Sequence, residues 1–210
     1  MPGLAGWGSP ARSDLMPSSL RRATIPEVLE VALELERRTM ELYADFVRVF
    51  ADDDELRGFW LAMARGEAAH FGALVLVETI VKNDPALAGE AKILFDTSTG
   101  VRLRSLLAGY RRETKRGIAP PRAFEMAVDI EGSELEDVVV DLLQVVRDPG
   151  WREQAVKMLI HDIGDLSYMI ETHTKDTALL ARADALLERR LGRTQPGTMP
   201  RAKSNRTRAG

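Results

Sequence analysis

The sequence predicts an all-α fold: a four-helix bundle built from two helix pairs joined by a long crossover, with a fifth helix after it. Three observations carry this. Four long segments place apolar residues at alternating steps of three and four, the period of a single helix face. Short polar turns separate the first segment from the second and the third from the fourth, whereas a much longer stretch joins the two pairs. The layout also repeats, since a shift of 95 positions carries Glu36 onto Glu131, Glu67 onto Asp162 and His70 onto Asp165 without a gap.

The first helix is expected from Thr24 to about Ala51, with Thr24 as N-cap, Pro26 in the first turn and Glu27 near the positive end of the helix dipole. Its seam reads Leu29, Leu33, Glu36, Met40, Tyr43, Val47, so a carboxylate interrupts an apolar stripe. The acidic run Asp52 to Glu55 turns the chain and caps a second helix, about Asp53 to Lys82, that folds back antiparallel. Its seam is Leu56, Trp60, Met63, Glu67, His70, Leu74, Val77, with two polar groups at consecutive core positions.

Asn83 to Ala119 is too long for a hairpin and is punctuated by Asp84-Pro85, Gly100 and the stretch from Gly117 to Pro121, which suits a crossover. Within it, about Val101 to Arg116 reads as a short helix with Leu103, Leu106, Leu107 and Tyr110 on one face and a solvated basic face of Arg102, Arg104, Arg111, Arg112, Lys115 and Arg116. The third helix, about Pro121 to Val146, has the seam Phe124, Val128, Glu131, Leu135, Val138, Leu142, Val145. After Asp148-Pro149-Gly150 comes the fourth, about Trp151 to His173, with the seam Trp151, Ala155, Met158, Asp162, Asp165, Met169. A last amphipathic helix, about Lys175 to Leu191, carries Leu179, Leu180, Ala183, Leu186 and Leu187 and is expected against the outside of the bundle or a second subunit.

The chain therefore divides into a flexible arm at 1–22, the bundle at 23–191 and a polar, basic tail at 192–210 too poor in apolar groups to offset the entropy of ordering. The formal net charge of -3 gives no whole-chain electrostatic case for nucleic acid or an anionic membrane. No apolar stretch approaches the roughly 20 residues a membrane span needs, and the arm holds no apolar run of signal-peptide length. The absence of cysteine excludes disulfides, thiolate metal sites, iron–sulfur clusters and cysteine nucleophiles together. A soluble, cytoplasmic protein is the expectation.

Antiparallel helices would bring the ionisable seam residues to one level of the core. Burying Glu36, Glu67, Glu131, Asp162, Asp165 and His70 side by side is costly unless they are protonated, paired or bound to a cation. No Lys or Arg lies on these seams. A divalent cation is the simplest counter-charge, and carboxylates with one imidazole suit iron or manganese. Spacing agrees, because residues at i and i+3, such as Glu67 with His70 and Asp162 with Asp165, share a helix face. His161 and His173 lie beside the fourth seam and read as exposed; only a rotated fourth helix would let His161 supply a second imidazole. Tyr43 reads as a core residue whose hydroxyl can bond a ligand carboxylate.

With Glu36-x6-Tyr43, Glu67-x-x-His70 and Glu131 in place, the stretch from Thr24 to His173 resembles the rubrerythrin group of the ferritin-like superfamily. The resemblance implies a ferritin-like bundle holding two iron ions, with manganese as an alternative. Glu36 and Glu131 would be single-helix ligands, Glu67 and His70 the first Glu-x-x-His pair, and Tyr43 a residue just behind the ligands. Asp162 and Asp165 stand where the second pair belongs, one methylene shorter and with oxygen in place of nitrogen. The implied function is a non-haem di-iron oxidoreductase that reduces peroxide or dioxygen or oxidises ferrous iron, as a homodimer fed by an external electron-donor protein because the chain lacks cysteine. The alternative is a degenerate bundle that binds one metal or none and has an iron-handling, scaffold or interaction role.

Overall fold

Thr24 closes a short strand and starts the first long helix. The computed structural model describes residues 20–84, 86–87, 92–143, 145 and 149–194, and among these the fold is all-α apart from one two-stranded ladder. In chain order the elements are β1 (Leu20–Thr24), α1 (Ile25–Val49), α2 (Asp54–Asn83), β2 (Lys92–Asp96), α3 (Thr97–Thr114), α4 (Pro120–Glu131), α5 (Glu134–Leu143), α6 (Pro149–His173) and α7 (Thr177–Thr194). The expected arm at 1–19 and tail from 195 lie outside the described residues. Within the expected arm, Leu20 to Arg22 are strand: β1 pairs antiparallel with β2, from Leu20 opposite Asp96 to Thr24 opposite Lys92. Likewise 192–194 continue α7.

Local chemistry sets the helix starts. The backbone N–H and hydroxyl of Thr24 both donate to the Glu27 carboxylate, at 2.7 and 2.9 Å, which fixes the first turn of α1. Asp53 accepts from the N–H groups of Glu55 and Leu56 at 3.1 and 3.0 Å and so caps α2, as the acidic run predicts. At the other end of the crossover, Gly117 turns the chain with φ of 89°, a left-handed conformation open to glycine, and Pro120 and Pro121 then start α4.

α1 and α2 pack along their length as a hairpin. α5 and α6 lie against α2, α4 packs on α6, and α7 covers α4 and α6 from outside. α3 packs on α1 and is tied to it by Arg104 on Glu34 at 2.6 Å and by Arg111 on Glu41 and Asp45 at 2.5 and 3.1 Å. The basic face expected to be solvated is thus partly occupied in pairing with α1. Exposed pairs of this kind add little stability each, and they fix how the crossover helix lies. The centre of the core is Trp60, wholly buried, with the rings of Phe46 and Phe59 at 4.7 Å, Phe124 at 5.4 Å and Tyr43 at 5.7 Å.

The expected third helix is broken in two. At Gly132-Ser133 the chain tightens: Gly132 N–H donates to Val128 O at 3.0 Å, Ser133 N–H to Ile130 O at 2.9 Å, and the Ser133 hydroxyl accepts from Leu135 N–H at 3.3 Å to restart the helix as α5. A Cβ on Gly132 would lie 2.9 Å from Val128 O and 3.3 Å from a methyl of Leu186 on α7. Gly132→Ala should therefore destabilise the protein by about 1–3 kcal/mol, the usual range for overpacking. Urea denaturation measures it; a gain in stability, as expected for Gly to Ala in an ordinary helix, would contradict the close approach.

Candidate metal centre

Two helical turns from the aromatic core, about 10 Å along the axes, α1 and α2 each exchange an aromatic for an acid: Tyr43 gives way to Glu36 and Trp60 to Glu67. One turn further along α2 is His70. Glu36, Glu67 and His70 are all buried, and each offers a ligand atom within 4.8 Å of the others. His70 Nδ1 lies 3.4 Å from Glu67 Oε2 and 3.8 Å from Glu36 Oε2. Glu131, the last residue of α4, is buried beside them and accepts a 2.8 Å hydrogen bond on Oε1 from the Tyr43 hydroxyl.

The break after Glu131 is served by two arginines of α7. Arg190, itself buried, donates from Nη2 to Glu131 O, and Arg189 to Gly132 O, both at 3.4 Å. They put positive charge at the carbonyl end of α4 and hold its last residue in place. Nothing in the sequence marked them, because their partners are backbone carbonyls more than fifty residues away.

The acids raise one another's affinity for protons. Glu67 is held well above the ordinary carboxylate range, first by burial and then by the charge of Glu36. Glu131 is pushed up to about 8 by burial and the charge of Glu67, with the Tyr43 hydrogen bond opposing. Asp162 is also raised, mainly by burial. A carboxyl whose folded pKa lies above its unfolded value keeps a proton that the unfolded chain gives up, so folding loses stability as pH rises between the two. For Glu131 that window runs from 4.5 to about 8. Metal-free protein should thus lose on the order of a few kcal/mol between pH 5 and pH 8, measurable by denaturant titration at each pH. Metal affinity should rise over the same interval, because the ligands must shed protons to bind. A metal-free protein more stable at pH 8 than at pH 5 would contradict this electrostatic picture.

No family model, curated protein or solved structure matches the chain. The site therefore stands on its own residues.

Of the six residues the sequence assigns as ligands, Glu36, Glu67, His70 and Glu131 are brought together in the core. Asp162 reaches the edge of the group, with its Oδ2 3.8 Å from His70 Nε2 and its side chain 20% exposed. Asp165 is not brought in. Its carboxylate is 52% exposed and pairs with His161 Nδ1 at 3.3 Å. The cause is the phase of α6, whose buried face keeps Met169 of the expected seam but adds Ile163, Leu166 and Ile170, each one residue on from Asp162, Asp165 and Met169. Burying an Ile or Leu gains about 1.5–3 kcal/mol, whereas burying an unpaired carboxylate costs more than that, so the helix turns its aliphatic residues inward. The same rotation leaves His161 on the surface, and it supplies no second imidazole. His173, expected to be exposed, is mostly covered, lying 6.3 Å from the Phe124 ring and 3.4 Å from Glu55.

The donor set fits a metal. Two carboxylates and an imidazole on adjacent helices, with Glu131 as a further oxygen, are hard and borderline donors of the kind that hold iron, manganese or zinc.

Proposed function

We propose that the protein is a carboxylate–histidine metal protein of the ferritin-like, rubrerythrin-related kind, a non-haem iron oxidoreductase that reduces peroxide or dioxygen or oxidises ferrous iron. The observation that carries this reading is the buried group of Glu36, Glu67 and His70, whose ligand atoms come within 4.8 Å of one another. Those three would hold the metal, and Glu131 would add a further oxygen. A bound iron or manganese ion would supply the redox chemistry. The protein's own part is to position and to exclude water. Tyr43 fixes one Glu131 oxygen, and the aromatic layer around Trp60 closes one end of the site against water.

Metal analysis by mass spectrometry, on protein purified without chelator, tests the reading together with anaerobic ferrous loading followed by peroxide or air. One or two iron or manganese ions per chain, and an iron-dependent near-ultraviolet absorption after oxidant, are expected. A protein that takes up no metal under either condition would sink the proposal.

The rotation of α6 favours a second reading, in which the bundle holds a single ion and serves in iron handling or as a scaffold. With Asp165 outside the core, the second half of the repeat offers too few donors for an independent site. One ion per chain with no consumption of peroxide or dioxygen would select it.

A further inference from the structure

We propose that Asp162 is a positioning residue: it holds the Nε2 side of His70 so that Nδ1 is presented to Glu36 and Glu67, and it does not itself bind the ion they share. The inference rests on the metal-binding reading above. The geometry of the ring carries it. Nδ1 faces Glu67 Oε2 at 3.4 Å and Glu36 Oε2 at 3.8 Å, while Nε2, on the other side, faces Asp162 Oδ2 at 3.8 Å. One imidazole gives one nitrogen to an ion, and an ion held by Glu36 and Glu67 would draw on Nδ1, the nitrogen that faces them. Nε2 then keeps its proton and donates it, and a bridging water or a slight turn of the partly exposed Asp162 closes the remaining distance. A carboxylate behind a ligand histidine fixes its tautomer and raises its basicity.

Gly66 makes this arrangement possible. A Cβ there would fall 2.7 Å from Asp162 Oδ2 and 3.2 Å from its Cγ, so a side chain at 66 would displace the carboxylate from beside the ring. A glycine inside a helical pattern often marks such a close approach, and this one directly precedes Glu67. Asp165 does not compete for the role, since its carboxylate is turned outward to His161.

The test uses the full chain and zinc, a diamagnetic probe, titrated against a chromophoric chelator, with nitrogen-15 NMR of the zinc-loaded protein. Asp162→Ala and Gly66→Ala should bind as many zinc ions per chain as wild type but 10- to 100-fold more weakly, the usual cost of losing such a partner. The His70 Nε2 proton, protected from solvent exchange in wild type, should be lost from the spectrum in both. Asp162→Asn keeps a carbonyl acceptor and should restore that signal and part of the affinity.

Asp162→Ala that binds one ion fewer, with the remaining affinity unchanged, would make Asp162 a ligand and overturn the proposal. Unchanged affinity and an unchanged Nε2 proton in both Ala variants would make it a bystander. A wild type that binds no zinc, manganese or ferrous iron would instead sink the metal reading, and this inference with it.

Discussion

Replacing Glu36 and Glu67 by Met and His70 by Leu should abolish metal binding and make the metal-free protein more stable by about 1–4 kcal/mol, raising its melting temperature by several degrees. Both effects come from the same burial. Glu36, Glu67 and His70 are 0, 3 and 4% exposed, and the other ionisable groups beside them, Glu131 and Asp162, are carboxylates too. Met has nearly the length and volume of Glu, so the exchange removes charge without opening a large cavity. What it removes is desolvation and the mutual repulsion that together hold Glu67 well above the ordinary carboxylate range. Calorimetry of metal-free wild type and variant, followed by metal titration of each, gives the answer. A triple variant less stable than metal-free wild type would mean that the three groups form a self-sufficient hydrogen-bonded network, which is the bland alternative to a metal site.

How much of this site could be read from the sequence depended on which residues hold each position. Glu36, Glu67, His70 and Glu131 were legible because each interrupts an apolar stripe and the same interruption recurs 95 residues on. Asp53 was legible as a cap because capping is a local interaction. Asp165 was misplaced because spacing from Asp162 shows that two residues share a face and not which way the face points. That was decided by Ile163, Leu166 and Ile170, which lie one position along and outcompete two aspartates for the interior. The break at Gly132 was hidden for a related reason: Val128, Glu131 and Leu135 keep helical spacing across it, and the Leu186 methyls that exclude a side chain come from a distant helix. The pairing of β1 with β2 joins segments some seventy residues apart with no shared local pattern.

Trp60→Ala should cost about 3–5 kcal/mol, the range for truncating a large buried aromatic. Trp60 is the common neighbour of Tyr43 and Phe46 on α1, Phe59 on its own helix, and Phe124 on α4, and it is wholly buried. For a chain of this size that is a fall in melting temperature on the order of 10 °C, a large share of the 5–15 kcal/mol that holds a typical domain together. The loss should not stay in the core. Tyr43 rests on the Trp60 ring and holds Glu131 by a 2.8 Å hydrogen bond, so the cavity frees a hydroxyl that fixes a site carboxylate. Trp60→Phe separates the two contributions. It keeps most of the packing and removes an indole N–H that is buried without a hydrogen-bond partner among the described residues, a group whose burial costs about 1–3 kcal/mol. Urea denaturation should place Trp60→Phe close to wild type and Trp60→Ala far below it, with metal affinity weakened only in the latter. A Trp60→Ala variant within 1 kcal/mol of wild type would show that the aromatic layer is not what supports the site.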